Sequence, residues 1–267
     1  MARSLNGKVV LITGASSGFG AHAAHLFAQE GAKIVLAARR LDRLQELADE
    51  IQDAGGEAVA VPVDVASHAE ISLMVESTID LYGKIDILFN NAGFGRLDWL
   101  ENLGVDRDIQ TQVDVNLTGL IQVTREVLPH MLKRKSGHII NMSSVAGWVA
   151  PPLYSVYSAT KYGVRGFTNA LRREVLPLGI QVSGVYPGPA ETEFGDHTGK
   201  DSVKEKLSTP AWAVMSAEFV AEKVVQLAKR PRRQLILPWW FAPVIWLENN
   251  FPNLVDFVLS QFAKKYH

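Results

Sequence analysis

Short runs of Val, Ile and Leu alternate with longer amphipathic stretches from near the N-terminus to about residue 237. A run that is apolar throughout suits a strand buried on both faces, and the amphipathic stretches between such runs suit helices laid over those faces. The alternation predicts strands near 8–13, 33–37, 57–62, 85–89, 137–142, 180–186 and 234–237, with helices filling most of the gaps. Strand and helix in turn imply an α/β fold: a single doubly wound parallel sheet of about seven strands with helices on both faces. Gly14, Asp64, Asn90, Ser144 and Pro187 each fall just past a predicted strand end. Ligands of such sheets collect beyond the carboxyl ends of the strands, where strand order reverses, so these positions are expected to share one crevice. No internal repeat, low-complexity tract or linker breaks the pattern.

The first strand gives way to Thr13-Gly14-Ala15-Ser16-Ser17-Gly18-Phe19-Gly20, spaced G-x-x-x-G-x-G. A buried strand that passes through glycines into a helix leaves backbone N–H groups pointing outward, able to hold a pyrophosphate; alone, such a loop also serves as a structural turn. About 20 residues on, where a dinucleotide site reads the adenosine ribose, the second strand ends at Ala38-Arg39-Arg40. An NAD-selective site places a carboxylate there. Guanidiniums suit a 2′-phosphate through charge-assisted, bidentate bonds and favour NADP(H). The alternative is that Arg39 and Arg40 are solvated at the start of the helix opened by Leu41-Asp42-Arg43-Leu44. Tyr157 and Lys161, in Y-S-A-T-K, stand one helical turn apart on the same face. A cation so placed is expected to lower the pKa of a phenol that ordinarily titrates near ~10, bringing proton transfer within reach of neutral pH.

Taken in order, these motifs resemble the short-chain dehydrogenase/reductase family over nearly everything from Gly7 to about Leu237. Thr13 to Gly20 is similar to its cofactor loop, Asp64-Val65 to its adenine contact, and Asn90-Asn91-Ala92-Gly93 to the segment that supports the central sheet beside the cofactor. Asn116, Ser144, Tyr157 and Lys161 resemble its catalytic tetrad, and Pro187-Gly188 with Thr192 its nicotinamide-carboxamide clasp. Pro189-Ala190-Glu191 replaces the usual aliphatic residue within that clasp, which alters its detailed shape. The resemblance implies a Rossmann-type, NADP(H)-dependent oxidoreductase acting on CH–OH groups. Tyr157 would be its proton donor, Ser144 a second donor to the carbonyl oxygen, and Lys161 would tune Tyr157 and hold the nicotinamide ribose. Asn116 would hold a water linking the lysine to solvent. A homodimer or homotetramer is also implied.

With 267 residues, 47% hydrophobic and 21% charged, the chain suffices for one catalytic domain over 1–238 with a C-terminal extension, 239–267. Zero cysteines exclude disulfides and thiolate chemistry and suit a cytoplasmic enzyme; a net charge of −1 argues against a nucleic-acid partner. No charged segment followed by an apolar run precedes the first strand, so no signal peptide is expected. His22 and His25 share a helix face without evident acidic partners and read as surface histidines, leaving no metal site expected. Ser143 faces away from Ser144 if the strand continues. Tyr154 has Ser158 four residues on and reads as pocket lining or packing.

A substrate lid is expected over 189–215, with Phe194, Trp212 and Met215, and an opposite wall from Trp148, Val149, Pro151 and Leu153. So apolar a set favours a hydrophobic ketone, aldehyde or secondary alcohol of steroid, retinoid or long-chain type. A 3-oxoacyl-carrier or ketosphingoid reductase is the enzymatic alternative. An NADP(H)-sensing protein and a scaffold that docks through its tail are non-enzymatic ones. That tail crowds Trp239, Trp240, Phe241 and Trp246, then sets Leu254, Val255, Val258, Leu259 and Phe262 on one helical face with Lys264 and Lys265 behind. It is too short to span a bilayer but suits a membrane interface, a partner subunit or a cover over its own active site.

Overall fold

The computed structural model describes residues 2–193 and 213–266. Seven strands, β1 Val9–Thr13, β2 Lys33–Ala38, β3 Glu57–Pro62, β4 Ile87–Asn90, β5 Gly137–Met142, β6 Ile180–Pro187 and β7 Gln234–Leu237, form one parallel sheet in the order β3-β2-β1-β4-β5-β6-β7. The chain runs outward from β1 to β3 and then returns to place β4 on the other side of β1. The order therefore reverses between β1 and β4, which opens a crevice beyond their carboxyl ends.

Helices α1 Gly18–Gln29, α2 Leu41–Asp53, α3 His68–Tyr82, α4 Leu120–Arg134, α5 Ser155–Val175 and α6 Ala217–Lys229 cover the two faces. Alternate residues of β1 feed separate cores. Val10 and Ile12 pack with Phe27 of α1, Leu44 of α2 and Val224 of α6. Val9 and Leu11 pack with Ile71 of α3, Val123 of α4 and Leu171 of α5. Each such side chain, fully buried, contributes about 1.5–3 kcal/mol of transfer free energy. Two-sided burial is why these strands read as unbroken apolar runs.

Two π-helical turns, Val105–Gln110 and Asp114–Gly119, precede α4; nothing in the apolar spacing marks them. A buried polar chain runs through the same region. The Asn90 amide donates to Thr124 and Asn141 (2.9 Å each), and the Asn141 amide to Thr168 (2.9 Å), joining β4 and β5 to α4 and α5.

Beyond β7 lie α7 Phe241–Asn250 and α8 Pro252–Tyr266. The apolar face expected on α8 is divided. Val255 is buried and Leu259 half-buried, whereas Leu254 and Val258 face solvent with Phe257. Trp239 and Trp246 are exposed as well, at 76% and 60%. No helix among the described residues is long and apolar enough to cross a membrane.

Candidate active site

A cavity of about 1220 Å³ occupies the crevice. Its floor is built by close backbone approach. Gly14, at φ 65°, lies where a Cβ would come 2.7 Å from Ala92 Cα, so only glycine lets the two loops meet. The Asn91 amide ties them together, donating to the Thr13 and Gly14 carbonyls at 3.2 and 3.0 Å. At the adenosine end of the predicted site the lining comprises Gly14, Ser16, Ser17, Gly18, Phe19, Arg39, Arg40, Asp64 and Val65. Ala92, Gly93, Ser144, Tyr157, Lys161, Pro187, Gly188 and Thr192 follow toward the far end.

Three predicted site residues stand back from the cavity. Asn90 is committed to the buried amide chain within the sheet. Gly20 lies under the loop, where a Cβ would collide with the Gly14 carbonyl. Asn116, fully buried in the second π-turn, clamps the Phe94 backbone, accepting from its N–H (2.9 Å) and donating to its carbonyl (2.8 Å). Only Gly93 separates it from the lysine: a Cβ there would sit 3.0 Å from Asn116 Oδ1 and 3.4 Å from Lys161 Nζ.

Beyond β5 the extended backbone sends successive serines to opposite sides. Ser143 donates to the Lys161 carbonyl (2.9 Å), while Ser144 donates to the Pro187 carbonyl (3.3 Å) and bonds to Tyr157. Tyr157 is buried and stacks edge-on against Tyr154 at 6.0 Å. Burial pushes its phenol well above the ordinary range, with the Ser144 bond opposing and Tyr154 adding. The downward shift expected from Lys161 is therefore reversed. The ammonium lies 5.5 Å from the ring centroid and turns to the Met142 carbonyl (3.3 Å), so desolvation of the phenolate dominates. Burial likewise lowers Lys161 to about 8.

At the opposite end, Arg40 reaches over the glycine loop, donating to Ser16 Oγ (3.0 Å) and Ser17 Oγ (2.9 Å). Its Nη1 pairs with Glu193 at 3.0 Å, and Arg43 takes the other Glu193 oxygen at 2.6 Å. Arg40 is thus not merely solvated. Burial tends to raise the Glu193 pKa, but hydrogen bonds from Arg40, Arg43 and Ser17 outweigh it and hold the carboxyl below its usual value. The sequence reading missed Glu193; its only local signal is an acid directly after Thr192 in a site expected to want cations.

Phe94, Leu97, Val149, Pro151, Tyr154 and Val214 form the apolar end, with Arg96, Arg107 and Asp114 at its edge. Phe241 and Val244 of α7 close it. Phe241 also rests on the clasp, since a Cβ on Gly188 would meet its ring at 2.5 Å. Trp148 and Leu153 do not line the cavity: Trp148 packs on Tyr186 (5.7 Å) with Arg165 over its ring (3.8 Å), and Leu153 is buried. Met215 belongs to the core. Phe194, Trp212 and most of the expected lid lie outside the described residues. His25 has the acidic partner its sequence context hid, Glu50 at 3.2 Å, and among the described residues no three His, Asp or Glu side chains are grouped to hold a metal.

The short chain dehydrogenase family profile matches residues 8–202. An uncharacterized oxidoreductase of Staphylococcus saprophyticus is 41% identical over 239 residues, spanning 88% of this chain and 96% of its own. The 11-beta-hydroxysteroid dehydrogenase-like 4A of Arabidopsis thaliana is 36% identical over 256 residues, spanning 95% and 84%. Among solved structures, a short chain dehydrogenase/reductase from Burkholderia phymatum in complex with NAD superimposes with a TM-score of 0.84 at 26% identity, covering 94% of this chain and 96% of that one. A serine dehydrogenase complexed with NADP+ superimposes at 0.78 with 36% identity, covering 86% and 94%. Sheet order, crevice and these matches agree, and the chain belongs to the short-chain dehydrogenase/reductase family.

Proposed function

We propose that this oxidoreductase moves a hydride between NADP(H) and a hydrophobic ketone, aldehyde or secondary alcohol, with Tyr157 as the proton-transferring group. The observation that carries the reading is the convergence of Ser144, Tyr157 and Lys161 on one cavity whose opposite end holds Ser16, Ser17 and Arg40. The donor set fits a dinucleotide. Gly14 and residues 16–19, at the start of α1, line the cavity with two serine hydroxyls where a helix N-terminus would hold a pyrophosphate, and Arg40 supplies the cation that a 2′-phosphate needs. Solved relatives hold NAD in one case and NADP+ in another, so the choice of NADP(H) rests on Arg40.

When bound, a reduced nicotinamide supplies hydride to the carbonyl carbon. Negative charge then gathers on the carbonyl oxygen, where Ser144 donates a hydrogen bond and Tyr157 delivers its proton. A phenol kept neutral by burial is the form this direction needs. Lys161 keeps a positive charge beside the phenolate left behind, at 5.5 Å from the ring. Lys161 would hold the nicotinamide ribose, and the absence of a side chain on Gly93 leaves the space beside its ammonium open. Asn116 fixes the Phe94 backbone that forms this wall. In the oxidative direction the roles reverse, and Tyr157 as the tyrosinate takes the proton of the alcohol.

The apolar end of the cavity supports a lipophilic substrate, and the Arabidopsis relative's name points the same way. Residues 1–238 form the catalytic domain, and 239–267 complete it by closing that end with α7. The test is consumption of NADPH and of NADH, in parallel, against steroid ketones, retinal, long-chain ketones and a 3-oxoacyl thioester. Turnover of apolar ketones with NADPH is expected; turnover confined to polar hydroxy acids, or to NADH, would reject the assignment.

A further inference from the structure

Glu193 stands in an unusual place for a carboxylate. Its two oxygens take one guanidinium each, Arg40 at 3.0 Å and Arg43 at 2.6 Å, from a position 150 or more residues away in sequence. Ser16, Ser17, Arg40 and Glu193 all line the cavity, at the end where an adenosine ribose would lie. Two anionic oxygens bridging two guanidiniums present the same pattern as two oxygens of a phosphomonoester. The preceding residue leans on the glycine loop: a Cβ on Gly18 would lie 3.3 Å from the Thr192 methyl.

We propose that Glu193 is an internal competitor for the 2′-phosphate, occupying Arg40 and Arg43 until a phosphate-bearing cofactor displaces it, and so setting the margin by which NADP(H) is chosen over NAD(H). This rests on the NADP(H) reading above. Two anions cannot share the same donors, and like charges a few ångströms apart repel. A ribose that ends in a 2′-hydroxyl leaves the Glu193 pairs in place and meets no such opposition. The side chains are 33% to 47% exposed, so solvent screening keeps the effect modest, about fivefold in affinity.

The test is calorimetric titration of the full chain and of Glu193→Gln with 2′,5′-ADP and with ADP, with Glu193→Ala as the second variant should the first fold poorly. Removing the carboxylate is expected to tighten 2′,5′-ADP about fivefold and to leave ADP within about twofold. Weaker binding of 2′,5′-ADP, or equal changes for both ligands, would mean that Glu193 merely holds Arg40 or the loop in place, and would overturn the proposal. If the wild-type chain prefers 2′,5′-ADP and the variant does so by the same margin, the competitor role alone fails. If neither form prefers 2′,5′-ADP, the phosphate reading of Arg40 fails and takes this inference with it.

Discussion

Replacing Lys161 with Met should give a protein that is more stable and inactive. The lysine is 4% exposed, and burial lowers its pKa from 10.5 to about 8. That shift corresponds to roughly 3 kcal/mol spent on keeping the charge inside the fold. Methionine replaces the apolar stem of the side chain, one heavy atom shorter, but forfeits the bond to the Met142 carbonyl, worth about 1 kcal/mol. A net gain of about 2 kcal/mol at pH 7 remains, or roughly 5 °C in melting temperature for a chain of this size. The pH dependence identifies the cause. Below about pH 8 both folded and unfolded wild type carry the charge, so the penalty is fully present. Between about 8 and 10.5 the folded state releases its proton first, and wild-type stability rises relative to the variant. Thermal unfolding of the cofactor-free proteins at pH 7 and near pH 10 measures both quantities. A Lys161→Met variant that melts below wild type at pH 7, or a gap that does not narrow at high pH, would refute the reasoning.

Tyr157→Phe keeps the ring and its contact with Tyr154 but removes the transferable proton, so kcat/KM should fall by about 10²- to 10⁴-fold while cofactor affinity by fluorescence titration stays within about twofold. Activity within tenfold of wild type would contradict the role. In carbonyl reduction kcat/KM should decline as pH rises through about 8, because Lys161 loses its charge there while Tyr157, raised by burial, stays protonated; a flat profile from pH 7 to 9 would count against this. His138, buried, is lowered to about 3 by desolvation and the nearby Arg3 charge. The unfolded chain takes up a proton near 6.5 that the folded chain refuses, so stability should drop by roughly 2 kcal/mol between pH 6.5 and 4.5. His138→Gln should flatten that slope in urea titrations, and parallel slopes would dispose of the explanation.

Strand positions were legible because a two-sided parallel sheet writes continuous apolar runs, and β4, which begins at Ile87 rather than at 85, shows how little the boundaries move. Several motif residues of the cavity are legible for a different reason: Gly14, Asp64, Ser144 and Gly188 lie just past strand ends, where topology brings them together, while Tyr157 and Lys161 are read from their one-turn spacing on α5. What escaped depends on long-range closure. The Arg40–Glu193 pair joins residues far apart in sequence, and Phe241 reaches the cavity only once α7 has folded back on the clasp. The π-turns before α4 leave no trace in apolar spacing, since they alter backbone hydrogen bonding without changing which residues are polar. The Tyr157 shift is not legible in residue spacing, which shows the neighbouring charge but not the depth of burial, and here depth has the larger effect.

The helix α7 has two audiences. Inward, Phe241 and Val244 form a wall of the cavity; outward, Trp246 meets the solvent, two residues beyond Val244 on a helix of ten. Grafting this tail from a relative would exchange part of the chamber together with part of the surface. A change that shifts this helix therefore alters the cavity and the outer surface together.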